Sequence, residues 1–375
     1  MASDEGWTGR KCPTCNGHGV DDDNHTCAAC AGTGEEYGEV EHKKRADKVL
    51  RLYDNTRISD YKRCPRLFYY RHVRDWRPDG TRTPLVFGGG WHAAMEVIWA
   101  GMTPPAIMPS KETLAKAAYI AFCKYWQEEG MPPPDEIGYE EEKELSPRTP
   151  SQALEMIVAY IDYRSRNRDD FELVSMEKPF AVPLDPKDPT LFYVGKIDKV
   201  VKRRGKIIGI EHKTTTAYRK EGKFRSTFLD SFSPNAQVDG YLYALHMMFP
   251  DQVGGVWVDA ALVHKSDEGF MFIPVERQLQ HLDGWLWEVQ DWIRRIEEDK
   301  SEHKRSKSSD PYLRAFPKNT NSCWDFNSAC AYLGLCKAWP NPIDKPIPAG
   351  FTAKRWDPLE HIGPIEGVTD EVVDD

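Results

Sequence analysis

The stretch LFYVGKIDKVVKRRGKIIGIEHKTTT, residues 191–216, carries the reading of the fold. Two runs rich in β-branched and aromatic residues flank Lys-Arg-Arg-Gly (202–205), which is a hairpin signal. Side chains two apart in a strand share a face, so Glu211 and Lys213 point the same way while Ile208 and Ile210 turn to the core. Asp198 falls on the partner strand, able to lie beside Glu211. Two carboxylates meeting at the end of a hairpin repel each other unless a cation sits between them. Oxygen ligands select Mg²⁺ or Mn²⁺. A lysine beside such an ion can orient a water or stabilise charge developing on a phosphorus centre.

The whole chain has 375 residues, which at roughly 150 per domain implies about two domains with appendages. Its 50 Lys and Arg against 59 Asp and Glu leave a net charge of −9. That excludes a uniformly basic protein that coats nucleic acid, but not one with a local basic groove. With 40% apolar and 29% charged residues the body can bury a core. No run of about 18 apolar residues occurs, so no membrane association is expected. The opening MASDEGWTGRK lacks the apolar stretch of a signal peptide, so a cytoplasmic location is expected. In that compartment the nine cysteines read as metal ligands rather than disulfides.

Four segments follow: residues 1–40, a linker over 41–56, a body over 57–340, and a Pro-rich, then acidic tail over 341–375. In the body, apolar periodicity predicts helices over 59–75, 90–101, 110–129, 151–168, 234–248 and 278–299. Strands are predicted over 171–182, 191–201, 206–213, 255–263 and 269–275. Proline places loops at 131–136 and 184–190, and the charged run 300–310 reads as solvated and mobile.

The first segment holds a short repeat, Cys12-x2-Cys15-x-Gly17-x-Gly19 and Cys27-x2-Cys30-x-Gly32-x-Gly34. Two residues between thiolates let one knuckle present both sulfurs to a metal, and the glycines permit the turn. Two knuckles make a four-sulfur set that reads as a structural zinc site. The repeat resembles the zinc-binding repeats of DnaJ-type chaperones, and its partner could be nucleic acid or protein.

Asp198 followed by Glu211-x-Lys213 is similar to the PD-(D/E)XK nuclease superfamily, and more narrowly to RecB/AddB-type exonucleases and CRISPR adaptation nucleases. Four further segments carry the resemblance. Ser59-x-Tyr61-x2-Cys64-Pro65-x2-Phe68 resembles the family's N-terminal segment, with Ser59 suited to cap one helix and Pro65 to begin the next. Gly88-x3-His92 resembles a helix start whose histidine binds the metal in the relatives; Glu96 lies one turn on. Gln237-x3-Tyr241 matches a motif after the lysine strand, with Ser233 and Pro234 placed to start that helix. Finally, Cys323, Cys330 and Cys336 with Cys64 resemble the ligands of a [4Fe–4S] cluster. The six residues in the first gap depart from the family's two, which leaves zinc or unligated cysteines as alternatives.

Positive charge concentrates in Arg63, Arg66 and Arg71, interleaved with Tyr61, Phe68, Tyr69, Tyr70 and Trp76, a pattern suited to tracking a single strand. Arg203 and Arg204 lie in the hairpin, and Tyr218, Arg219, Lys220, Lys223 and Arg225 follow the lysine strand.

The expected fold is a restriction-endonuclease-like α/β core, a mixed central sheet flanked by helices, plus the small N-terminal zinc knuckle. The resemblance implies Mg²⁺- or Mn²⁺-dependent hydrolysis of DNA in replication, recombination or repair, in a phage or bacterium, alongside other proteins of those processes. Asp198, Glu211 and His92 would hold the ion, Lys213 would orient water, and Gln237 and Tyr241 would support them. The alternatives are a non-catalytic nucleic-acid-binding subunit on the same scaffold, or a chaperone-like adaptor.

Overall fold

A computed structural model describes residues 50–80, 82–103, 109–166, 171–219, 223–325 and 328–357, together with the backbone of Glu5–Lys11 and Glu35–Glu39. Two units result, Met1–Leu50 with Glu371–Asp375, and Arg51–Asp370. In the first, β1 (Glu5–Lys11) pairs antiparallel with β2 (Glu35–Glu39). Cys12, Cys15, Cys27 and Cys30 of the expected zinc module lie outside the described residues.

The second unit begins with β3 (Arg51–Tyr53) and α1 (Asn55–Arg63). Asp54 caps α1 by accepting the Arg57 N–H at 2.7 Å. Ser59, read as a cap, lies inside this helix, because Asp54 supplies the capping oxygen one turn earlier. Pro65 does open α2 (Pro65–Phe68), which runs on into a π-turn, Tyr69–Val73. β4 (Trp76–Pro78), α3 (Thr83–Met102), α4 (Lys111–Glu128), α5 (Tyr139–Leu145) and α6 (Pro150–Arg166) follow. Helix α5 shows no apolar period because it buries nothing; Glu140, Glu141 and Glu142 in its first turn favour it through the helix dipole.

Next come β5 (Glu172–Pro183), β6 (Leu191–Arg203), β7 (Lys206–Thr215), β8 (Tyr218–Arg219), β9 (Lys223–Phe224) and α7 (Ser226–Asp230). The chain continues through α8 (Ala236–Met248), β10 (Val253–Leu262), β11 (Gly269–Val275) and α9 (Leu279–Arg305). Short elements close it: β12 (Trp324–Asp325), β13 (Ser328–Ala329), α10 (Leu333–Ala338) and β14 (Phe351–Ala353).

The central sheet runs β11-β10-β7-β6-β3, with β5 on the other edge of β6. It is mixed, β7/β10 and β3/β6 being parallel and the remaining pairs antiparallel. On one face α3, α4 and α6 bury Phe87, Trp91, Trp99, Phe122, Trp126 and Tyr160. On the other, α1, α2, α8 and α9 pack with Phe316 and Tyr332. Among the described residues no helix is long and apolar enough to cross a membrane.

Helices α3 and α4 approach closely through the Gly88–Gly90 run. A Cβ at Gly90 would fall 2.8 Å from the ring of Phe122, which is fully buried and has nowhere to move. Gly90→Ala is therefore expected to cost about 1–3 kcal/mol by overpacking, read as a lower urea midpoint at unchanged slope.

Two expectations need correction. The run 300–310 is not a mobile segment throughout, since α9 continues to Arg305. His303 packs its ring 5.2 Å from that of Tyr69, and only the outer face carries the charges that dominate the sequence. Nor is the chain after Pro340 a free tail as far as Asp357. β14 pairs with β4, and Arg74 donates to the carbonyls of Pro342 and Lys345 at 2.7 and 2.6 Å. Trp356 lies 4.6 Å from the Arg57 guanidinium. Prolines there shape a packed, non-helical strap rather than a solvated end.

Candidate active site

The pairing of β6 with β7 begins beside the turn at Arg203↔Lys206 and ends at Lys199↔Ile210. At the other end of the same β6 edge, β3 pairs with Leu191–Tyr193. Residues 194–198 therefore face a gap between β3 and β7, and Asp198 and Glu211 stand at its closed end, one step past the last ladder pair. The Asp198 carboxylate fills in for the missing ladder bond, its Oδ2 accepting the His212 N–H at 2.8 Å.

Glu211 and Lys213 alternate with Ile210 and His212, which turns both toward α8 as the strand period requires. Lys213 Nζ lies 2.5 Å from Glu211 Oε1 and donates to Gln237 Oε1 at 3.0 Å. Gln237 Nε2 donates in turn to Glu211 Oε1 at 3.1 Å and to the Tyr241 hydroxyl at 2.9 Å. Helix α8 presents both residues on one face, as i,i+4 spacing dictates. Its cap is Asn235, whose side chain accepts the N–H groups of Gln237 and Val238, both at 3.1 Å. Ser233 and Pro234 precede the helix, because a residue before proline is pushed out of the helical region.

His92 reaches the same place from α3. Its Nδ1 stands 3.3 Å from Asp198 Oδ2, and its Nε2 donates to the His212 carbonyl at 3.0 Å. Glu96, one turn on, has Glu177, Lys199 and Lys196 as closer electrostatic neighbours than His92, and burial raises its pKa.

Asp198 is 7% and Glu211 2% exposed. Burial raises the Glu211 pKa, and the Asp198 charge raises it further. Burial also opposes the Asp198 charge, but His92, by charge and hydrogen bond, holds its carboxyl well below the usual range. Burial would lower His92 and Lys213; Asp198 and Glu211 respectively outweigh it, so both cations are held above their ordinary values. Glu211 Oε2 is buried and has no hydrogen-bond partner. An orphaned carboxylate oxygen beside a second carboxylate is the position a divalent cation satisfies. Among the described residues no three His, Cys, Asp or Glu side chains stand grouped so as to hold a metal ion.

Sequence reasoning missed the polar groups behind the site, Lys199, His212 and Asp259, all at most 1% exposed. Burial pushes His212 down to about 4, with Lys199 adding to the effect. Burial likewise pushes His72 down to about 4, against the pull of its hydrogen bond to Asp60. Both rings bind a proton more readily in the unfolded chain, near 6.5, than in the fold. Their stabilisation is thus complete above that pH and lost as pH falls through about 4. Each is worth up to about 3 kcal/mol, and urea midpoints measured from pH 7 to pH 4 should fall accordingly.

The proposed strand-tracking residues separate. Arg66 is buried and donates to the carbonyls of Phe316 and Leu313 at 3.0 and 3.4 Å. Tyr69 is fully buried, as are Tyr61, Phe68, Tyr70 and Trp76. These aromatics form core, because α2 and the π-turn are wedged between the sheet and the 313–316 segment. Arg63 is exposed, 3.7 Å from Asp325, and Arg71 lies 3.1 Å from Asp60. Arg203 stacks on Trp257 at 4.8 Å, and Arg204 is in the β6–β7 turn. Seven residues of β7 separate that end from Lys213, roughly 20 Å at strand rise, so Arg203 and Arg204 are not beside the site. The β8–β9 hairpin does continue directly from the lysine strand. There Tyr218 stacks on His264 at 4.1 Å and Arg225 donates to the Tyr218 carbonyl; Lys220 is outside the described residues.

Cys64, Cys323, Cys330 and Cys336 are all free and half-buried. The Cys330 N–H donates to the Cys323 carbonyl at 2.8 Å, and the Asn319 N–H points at Cys64 Sγ at 3.3 Å. Burial raises the thiol pKa of Cys330 and of Cys336, and proximity to Cys64 adds to both. Cys64 is thus a neighbour of Cys330 and Cys336, although no three of these thiols stand grouped to hold a metal ion.

Residues 55–337 match the family described as the PD-(D/E)XK nuclease superfamily. The mixed sheet with helices on both faces is the restriction-endonuclease-like arrangement expected of it. A provisionally named exonuclease from Eubacterium rectale has a similar solved structure, at 14% identity and a TM-score of 0.40, over 68% of this chain and 82% of that one. Another, SSO0001, is 13% identical with a TM-score of 0.22, over 43% of this chain and 70% of that one. No curated protein matches the chain.

Proposed function

We propose that this chain, which belongs to the PD-(D/E)XK nuclease superfamily, acts on DNA as an exonuclease of the RecB/AddB type. Membership makes it a nuclease, a hydrolase of phosphodiester bonds. The observation that supports the residue assignment is the convergence of Asp198, Glu211, Lys213 and Gln237 at the β6–β7 fork, with Glu211 Oε2 left unpartnered.

In this reading Asp198, Glu211 and His92 hold Mg²⁺ or Mn²⁺. Such an ion would supply Lewis acidity and a more acidic bound water. Lys213, kept charged by Glu211, orients the attacking water and faces the charge that develops on the phosphoryl oxygens. Gln237 holds Lys213 through its Oε1 and Glu211 through its Nε2, and Tyr241 accepts from Gln237. His92 and the His212 N–H keep Asp198 ionised and aimed at the gap.

A [4Fe–4S] cluster on Cys64, Cys323, Cys330 and Cys336 is carried over from the resemblance, with the nearness of Cys64 to Cys330 and Cys336 in its favour. Residues 1–40 are assigned to a zinc module on the spacing of Cys12, Cys15, Cys27 and Cys30, residues 41–56 to a linker and 57–340 to the nuclease. Exposed Arg63 and half-buried Arg71, with the 218–225 hairpin, are the remaining candidates for phosphate contacts. The setting is intracellular DNA replication, recombination or repair in a bacterium or its phage.

The test compares linear and circular single-stranded DNA with Mg²⁺, Mn²⁺ or chelator. Release of nucleotides from linear DNA alone, stopped by chelation, supports the reading. Cleavage of circles contradicts the exonuclease assignment, and inertness toward all DNA contradicts the substrate. Iron and sulfide analysis of anaerobically purified protein tests the cysteine cluster, and zinc analysis the N-terminal module.

A further inference from the structure

Behind the fork, on the sheet face that Glu211 and Lys213 do not share, a line of buried polar groups crosses the core. The Trp99 indole N–H of α3 donates to the Tyr160 hydroxyl of α6 at 3.1 Å. Tyr160 donates to Asp259 Oδ2 of β10. That oxygen stands 3.1 Å from Nδ1 of His212, the direct cross-strand neighbour of Asp259 in the parallel β7–β10 register. The line ends at the residue whose main chain holds two of the three proposed ion ligands. The His212 N–H binds Asp198 at 2.8 Å, and its carbonyl accepts from His92 at 3.0 Å.

We propose that Tyr160 and Asp259 are positioning residues for phosphodiester cleavage, acting through His212 to fix the peptide groups that aim Asp198 and His92. The inference rests on the deoxyribonuclease reading given above. Burying an acid and a histidine among Trp99, Phe171 and Phe272 is costly. Asp259 Oδ1 and His212 Nε2 find no hydrogen-bond partner there, and the 3.1 Å approach of His212 Nδ1 to Asp259 Oδ2 is a close charge contact rather than an aligned hydrogen bond. A well-packed apolar set would close this layer at no loss of stability. What the polar line adds is a fixed ring on His212, hence a fixed rotation of the chain about it. Turning that residue moves its N–H and its carbonyl together, so Asp198 and His92 would swing as a pair. Strand alternation turns Asp259 away from the face of Glu211 and Lys213, and Tyr160 of α6 packs on that opposite face, so their effect is indirect.

Tyr160→Phe and Asp259→Asn in the full chain test this, with kcat and KM measured on linear single-stranded DNA. Mn²⁺ affinity, by calorimetric titration without DNA, is the readout independent of activity. Each variant should bind Mn²⁺ about tenfold more weakly and lose a similar factor in kcat, with KM for DNA and near-UV circular dichroism unchanged. Should Asp259→Asn not fold, Tyr160→Phe decides, since it removes one hydroxyl. Folded variants with the parent's Mn²⁺ affinity and kcat overturn the inference while leaving the nuclease reading intact. A parent chain that cleaves no DNA overturns both.

Discussion

Lys213→Ala is expected to lower kcat for DNA hydrolysis by at least about a hundredfold, the loss seen when one preorganised charge-stabilising group is removed from an active site. Lys213 sits between Glu211 and Gln237, and among the described residues no other cation contacts the Glu211 carboxylate. Without it, two buried carboxylates face each other with His92, and Lys199 behind Asp198, as the remaining counter-charges. Glu211, already raised by burial and Asp198, would then rise further. Lys213→Met should lose as much, since it keeps the stem but not the charge. Stability should fall as well, because Glu211 is left a buried carboxylate without its ion-pair partner, so rates are compared per folded molecule. Single-turnover rates on labelled DNA, beside circular dichroism of the same samples, check both halves. An unchanged rate would detach Lys213 from the chemistry.

Tyr69→Ala is expected to destabilise the protein by about 3–5 kcal/mol, the range for truncating a large buried aromatic side chain. Its ring contacts those of Tyr70, His303 and Phe316 at 5.2–5.6 Å, tying the π-turn to α9 and to the segment beyond it. A base-stacking role would instead show as weaker DNA binding by a protein of normal stability. Urea unfolding and DNA affinity per folded molecule separate the two, and the structure predicts a change in the first only.

These residues show what the sequence could convey. The hairpin and the facing of Glu211 and Lys213 were legible because strand alternation is a local rule. Gln237 and Tyr241 were legible because helical spacing is local too. Burial is not local. Arginine and tyrosine alternating over 57–76 read as a solvated binding face, yet the groove that receives them is made by residues 313–316, far along the chain. The packed strap of 341–357 was hidden for the same reason, its β14 finding β4 across the whole body. Arg203 and Arg204 are close to Asp198 in sequence, but a strand converts those few residues into distance. Helix starts at Asp54 and Asn235 rather than Ser59 and Ser233 turned on which oxygen met the free N–H groups. The line from Tyr160 to His212 required the β7–β10 register, which nothing in either strand alone specifies.

The most direct measurement is anomalous diffraction from crystals of the chain soaked in Mn²⁺. The account predicts a peak in the gap at the end of the β6–β7 ladder, touching Asp198 and the free oxygen of Glu211, with His92 turned toward it. Mn²⁺ bound elsewhere, with this gap empty in protein that still cleaves DNA, would contradict it.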